Sequence, residues 1–480
     1  MPTFNDFLIL LPEAYLTVAA CVILLMDAFL KGGQRVAIHW LSIIVLLVGA
    51  WLVIDGQPAV AVSGFSDMFI RDPVAEILKV FSLLTTALMF IYSRGYLRDR
   101  NINEGEYYAL TLFAVIGIMV LVSAGSLVTV YLGLELLTLS SYALVALNRD
   151  SQLSSEAAIK YFVLGALASG MLLYGMSMIY GATHSLDLAT ILHVQNVEWR
   201  NLMLFGVVFA IVGIGFKLGA APFHMWIPDV YQGAPTAVTI FIGTAQKIAA
   251  FGMAYRLLDS GLGAYAHEWR MMLAVLAVLS LAIGNLLAIV QTNLKRLLAY
   301  STISHMGFLL LGLVQANPAG YSAAMFYAVS YALTSAAAFG IILVMSRAGF
   351  ECEEIDDFKG LNQRSPWFAF LMMLVMFSLA GVPPMFGFFA KLLVLQSAID
   401  AGFLWLAVVG AVFAIIGLYY YLRVVKVMYF DAPVEGTDVR AQPDMPLRFV
   451  LSLNALALLA LGIAWGPLFA WCQRAFGITA

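Results

Sequence analysis

Lys217, Lys247 and Lys391 each lie well inside a long apolar run of this chain, and so do Glu135, His224 and His305. A lysine at the centre of a membrane-spanning helix costs about 2.5–3.5 kcal/mol on insertion scales, so three of them call for a use or a partner. Arginine stays charged at any physiological pH, whereas a desolvated lysine gives up its proton far more easily. The chemistry within reach is holding and releasing a proton inside a bilayer. Glu135, in YLGLELLTLS, is the natural counter-charge, because a carboxylate beside an ammonium favours both charged forms and its withdrawal frees the proton. Spacing leaves open which lysine it faces. The plainer alternative is an ion pair that merely bridges helices. His224 and His305 either link lysines through water or serve as ordinary interhelical hydrogen-bonders. Lys79 and Lys160 lie near the ends of their runs, where a long stem can snorkel to the headgroups. No second His, Cys or carboxylate stands at ligand spacing, so no metal site is predicted.

These residues need membrane helices to hold them. Of 480 residues, 62% are apolar and 11% charged, against about 25% charged in soluble domains. The mean hydropathy is +0.93, which argues for a polytopic membrane protein and against a soluble enzyme. A net charge of −3 provides no electrostatic footprint for nucleic acid. Cys21, Cys352 and Cys472 are far apart and predict neither a disulfide framework nor an iron–sulfur site. The start, MPTFNDFLILLPEAYL, lacks the basic region and cleavage site of a signal peptide, so its apolar run is predicted to be retained.

Runs of about 20 mostly apolar residues number 14, at roughly 7–30, 37–54, 74–92, 106–125, 127–147, 157–180, 201–231, 237–258, 268–290, 296–315, 321–347, 366–400, 401–430 and 447–472. We call them spans 1 to 14. Fifteen of the 20 Lys and Arg residues between spans follow odd-numbered ones. That bias puts those loops in the cytoplasm and both termini outside. The longest polar stretches are 181–200, 348–365 and 431–446. The second carries Glu351, Glu353, Glu354, Asp356 and Asp357, which reads as a solvated face or, more sharply, as contact with another subunit.

Spans 7 and 12 are too long for one straight crossing and contain Pro222 and Pro228, and Pro383 and Pro384. Proline clashes with the carbonyl four residues back, here Leu218. Span 7 is therefore predicted to break just after Lys217 and offer carbonyls to its ammonium, at the negative end of a half-helix. Pro383 and Pro384 would likewise free the carbonyls of Leu379 and Ala380 near Lys391. The breaks are five spans apart, and an odd offset reverses membrane direction. Spans 4–8 (106–258) and 9–13 (268–430) are thus predicted to be inverted repeats, preceded by spans 1–3 (1–105) and followed by span 14 (447–480). Paired interrupted segments in two halves are the best sequence pointer to a transport site.

The segments GFKLGAAPFHMWIPDVYQGAPTAVTIFIGTAQKIAAFG (215–252), QTNLKRLLAYSTISHMGFLLLG (291–312), DDFKGLNQRSPW (356–367) and SLAGVPPMFGFFAKLLVL (378–395) resemble the antiporter-like proton-channel subunits of respiratory complex I. The resemblance covers most of the chain. It implies an all-α membrane fold of 14 helices and a proton-carrying role in NADH:quinone oxidoreductase. It implies no redox centre in this chain, so that NADH, FMN, iron–sulfur clusters and quinone belong to partner subunits. Other complex I membrane subunits, antiporter-like ones among them, are the implied partners, with lipid and protons. Glu135, Lys217, Lys247 and Lys391 match the family's relay positions. Lys160 matches a frequent lysine of span 6, and Glu106, in EGEYYALT, an auxiliary carboxylate. The chain ends about eight residues after span 14, without the long lateral helix of the largest members. Lys391 stands where the middle-sized members usually carry glutamate. Both features point to the third branch. GIGFKLG (213–219) is no dinucleotide fingerprint, because its spacing is wrong and no strand precedes it. A Na⁺/H⁺ antiporter subunit and a membrane hydrogenase subunit share the broken helices and lysines, and remain as alternatives.

Overall fold

The apolar runs become helices in a computed structural model of the chain, which describes residues 4–30, 32–57, 60–102, 104–194, 199–346, 349–433 and 443–478. Among the described residues, thirteen helices are long and apolar enough to cross a membrane: Leu11–Phe29, Val36–Asp55, Pro73–Asp99, Glu104–Val122, Leu127–Val145, Gln152–Thr183, Arg200–Leu218, Thr236–Gly261, Gly263–Ile289, Leu294–Leu313, Pro318–Met345, Leu404–Phe430 and Met445–Ile463. They are spans 1–11, 13 and 14. Span 12 completes the set as two shorter helices, Pro366–Ala380 and Phe386–Asp400. Three basic residues used for the orientation, Lys31, Arg347 and Arg440, fall outside the described residues, as does much of 431–446.

Polar residues set many of the helix starts. Asp72, Ser126, Ser151, Asn293 and Asn317 each accept a hydrogen bond from a first-turn amide, replacing a partner that the helix cannot supply. Two departures from the predicted spans stand out. Span 14 stops at Ile463 and a separate helix, Gly466–Ala475, follows with Pro467 in its first turn; proline fits there and not in a helix interior. Span 8 is interrupted at Thr244 (φ −125°, ψ −91°), three residues before Lys247, with no proline to announce it.

Spans 8, 10 and 11 form the interior, with 100%, 89% and 94% of their apolar windows buried, whereas spans 1, 6, 13 and 14 lie at the rim. Close packing rests on glycine where spans cross. A Cβ on Gly117 of span 4 would sit 2.5 Å from the Leu137 amide nitrogen of span 5, and one on Gly284 of span 9 would sit 2.5 Å from that of Ser304 on span 10. Small residues let membrane helices approach to this distance. The span pairs 4–5 and 9–10 are built alike.

Spans 1–3 are tied by buried charges. The Lys79 ammonium, fully buried, lies 2.8 Å from Glu13 of span 1 and 3.7 Å from Glu76. Glu76 holds Arg71, which donates to the Val53 carbonyl at the end of span 2 (3.1 Å). This corrects the snorkelling expectation for Lys79. Its charge turns inward because two carboxylates wait there.

Candidate functional site

Both broken spans close in the same way. In span 7, Gly219 (φ +79°) donates to the carbonyls of Gly215 and Phe216, and Ala220 also donates to Gly215. In span 12, Gly381 (φ +82°) donates to Phe377 and Ser378, and Val382 to Phe377. A left-handed residue that ends a helix favours glycine. Three residues after each glycine comes a cis proline, Pro222 and Pro384.

The lysines that fill the two breaks come from different places. In span 12 the Lys391 ammonium donates to the carbonyls of Leu379 (2.8 Å) and Ala380 (2.9 Å), the pair expected from the prolines. In span 7 the freed Leu218 carbonyl is taken by Lys247, reaching across from span 8 (2.9 Å). The expectation that Lys217 would take it is thereby corrected. Lys217 points from its helix into a buried position where its ammonium has no hydrogen-bond partner among the described residues. Trp226 fixes the break from the other side. Its indole N–H donates to the Phe216 carbonyl (3.1 Å), its ring lies 5.1 Å from the Lys247 ammonium, and Tyr161 stacks on it.

Glu135 is half-buried between spans 5 and 6, where the Ser169 hydroxyl donates to it. Glu135 and Lys217 close no ion pair among the described residues. His305 is buried, with Nδ1 2.6 Å from the Tyr327 hydroxyl and Nε2 3.0 Å from that of Tyr421, which also bonds Ser301. A narrow cleft lined by His305, Tyr327, Thr334, Ser378, Leu379 and Gly387 runs from this histidine to the break that holds Lys391.

The remaining candidates lie apart from this core. His224 sits in the turn of the span 7 break and is half-buried, with no hydrogen-bond partner for Nδ1 among the described residues. Lys160 is 43% exposed and paired with Glu156 (2.9 Å) and Asp229 (2.8 Å). Glu106 pairs with Arg149 at the surface. Two polar features escaped the sequence reading. The tyrosines bonded to His305 carry no sequence signal, because Tyr327 and Tyr421 reach it from two other helices. Lys295 was counted only as a loop charge, yet it is 2% exposed.

The acidic stretch is not a simple solvated face. Glu351 accepts from Tyr96 (3.0 Å) and Thr236 (2.6 Å) and is ion-paired with Arg100, while Asp356 is exposed. Burial opposes ionisation of Glu351, but Lys295, Arg100 and the two hydroxyl donors outweigh it and hold its carboxyl below the usual range. A depressed carboxyl contributes stability that is complete above its unfolded value, about 4.3, and is lost as pH falls through the folded one. Hydrogen exchange over 349–365, corrected for intrinsic rates, is expected to accelerate on acidification through that range. Glu351→Gln should exchange fast at every pH; an unchanged profile in this variant would rule the carboxylate out as the staple.

Two broken helices, each with a buried lysine on a freed carbonyl inside an all-α bundle, mark a membrane subunit of the antiporter-like class. The profile of the family described as NADH:quinone oxidoreductase/Mrp antiporter, TM, matches residues 124–417. The chain is 52% identical over 472 residues to NADH-quinone oxidoreductase subunit N of Thiobacillus denitrificans, covering 98% of this chain and 97% of that one. It is 54% identical to subunit N of Xanthomonas euvesicatoria, covering 99% and 97%. Its fold is similar to a chain of respiratory complex I from Thermus thermophilus, with TM-score 0.81 and 31% identity over 95% of this chain and 98% of that one. The chain belongs to the NADH-quinone oxidoreductase subunit N family.

Proposed function

We propose that the chain is a non-redox, proton-translocating subunit of NADH:quinone oxidoreductase in a bacterial inner membrane, with both termini periplasmic. Residues 106–258 and 268–430 act as two inverted half-channels, flanked by 1–105 and 447–480. NADH, FMN, iron–sulfur clusters and quinone are handled by partner subunits, and redox events there reach this chain through neighbouring membrane subunits.

The observation that carries this reading is the pair of like-built breaks, each holding a buried ammonium on a freed carbonyl. A cation at a helix C-terminal carbonyl is stabilised by the half-helix dipole. The freed carbonyls thus favour the charged forms of Lys247 and Lys391, whereas the Lys217 ammonium has no hydrogen-bond partner among the described residues. Lys217 is the group whose protonation is most easily switched, by anything that moves or neutralises Glu135. Protons pass from Lys217 by way of Lys247 and the His305 cleft to Lys391. His224 lies where water could enter the first break, and Lys160 and Glu106 serve the rim.

The test is NADH-driven proton pumping and NADH oxidation in inverted membranes, comparing wild type with Lys217→Ala at equal complex abundance. Lost pumping is the expected result. Unchanged pumping and oxidation would remove Lys217 from the path, and Na⁺-dependent exchange without NADH would then favour an antiporter subunit.

A further inference from the structure

The second half of span 7, the helix Trp226–Gly233, is gripped by the start of span 10. The Lys295 ammonium donates to the carbonyls of Gln232 and Ala234, both at 3.0 Å. Arg296, the next residue, donates to Asp229 (2.8 Å) and to the Gln232 side chain (3.1 Å). The last carbonyls of a helix lack partners within it and attract cations, which is the place Lys295 fills. Ser154 takes the remaining Gly233 carbonyl (2.8 Å). At its other end this half-helix begins with Trp226, the residue that lies against Lys247 and bonds the span 7 carbonyl of Phe216.

Behind Lys295 stands Glu353 at 3.8 Å. Its backbone carbonyl accepts from Leu294 (2.6 Å) and Asn293 pairs with Glu354, so the acidic stretch anchors the start of span 10. The same helix carries His305 three turns further on. One rigid element therefore holds the end of the first half-channel's broken helix and one member of the second half-channel's cleft.

We infer that Lys295, with Arg296 beside it, is a positioning residue for proton transfer: it fixes the half-helix Trp226–Gly233 on span 10 and so places Trp226 against Lys247. The inference rests on the proton-relay reading above. Misplacement by about an ångström at a remote site can cost on the order of a hundredfold in a reaction that depends on geometry. The grip needs both a positive charge and donors that reach two carbonyls. Methionine supplies neither, while arginine supplies both.

The experiment uses the assembled complex in inverted membranes, at matched abundance, with Lys295→Met, Lys295→Arg and Lys217→Ala measured together. Protons pumped per NADH oxidised are expected to fall several-fold in Lys295→Met and to return most of the way in Lys295→Arg. Hydrogen exchange over 219–233 should rise in the methionine variant and not in the arginine one. Faster exchange with an unchanged pumping ratio would make the grip merely structural and overturn the inference. Should Lys295→Met fail to assemble, Arg296→Gln gives the same reading, since it loosens the Asp229 half of the grip alone; a normal ratio there, with faster exchange, counts against the inference equally. Normal pumping in Lys217→Ala would instead sink the relay reading on which the inference stands.

Discussion

Lys247→Met and Lys391→Met are expected to abolish NADH-driven pumping and also to lower the thermal stability of the purified complex, whereas Lys217→Met abolishes pumping with stability unchanged or raised. The contrast follows from what each ammonium does. Lys391 satisfies two freed carbonyls and Lys247 one. A buried carbonyl left without a donor costs about 1–3 kcal/mol, so Lys391→Met should be the more damaging. Lys217 has no hydrogen-bond partner among the described residues. Replacing it by an apolar chain of similar length strands nothing and removes the cost of burying a charge. Thermal unfolding of the three variants, beside their pumping, checks the order. A Lys217→Met variant as unstable as Lys391→Met would show that its ammonium has a structural partner after all.

Lys79→Met is expected to have the largest effect on stability and little on transport. Glu13 would keep its burial and lose its cation, since its ion pair is with Lys79. Breaking one side of a buried pair costs about 3–5 kcal/mol. Glu76 still holds Arg71, so the damage should centre on the docking of span 1. The double variant Glu13→Leu/Lys79→Met removes the stranded charge and should regain most of the loss, because replacing a whole buried pair by apolar groups is often neutral. Complex abundance and denaturant midpoints read the effect. Protons pumped per NADH in the surviving complex should match wild type; a lowered ratio would put Lys79 on the proton path instead of in a tie.

The sequence shows the spans clearly because each is a long apolar run, and shows two of the breaks because proline and glycine mark them. It foretells the carbonyls on Lys391, since lysine and break lie on one chain segment a few turns apart. It misplaces the Leu218 carbonyl, because Lys247 reaches it from another helix and no spacing rule crosses between helices. Thr244 interrupts span 8 beside Gly243 but with no proline, a weaker signal inside an apolar run. Lys79 misleads for a related reason: position within a span says how far the stem must reach for water, but not that Glu13 stands beside it. Lys295 shows the converse, a loop-end charge by position and a buried grip by contact. Pairings between distant segments are what one chain read alone leaves out.

His305 is held at both ring nitrogens, by Tyr327 and by Tyr421, and that bears on how traffic through it must run. A neutral imidazole has one N–H and one lone pair. With both ends tethered it cannot swing between a donor and an acceptor as a mobile arm would. A proton that crosses must arrive at one nitrogen while another departs from the opposite one, which leaves the ring in its other tautomer and the two hydroxyls turned about. After one crossing the file is polarised against a second in the same direction. It must turn back before the next proton can follow, and restoring the first tautomer requires the ring to leave both hydroxyls, so the tethers that order the file also oppose its reset.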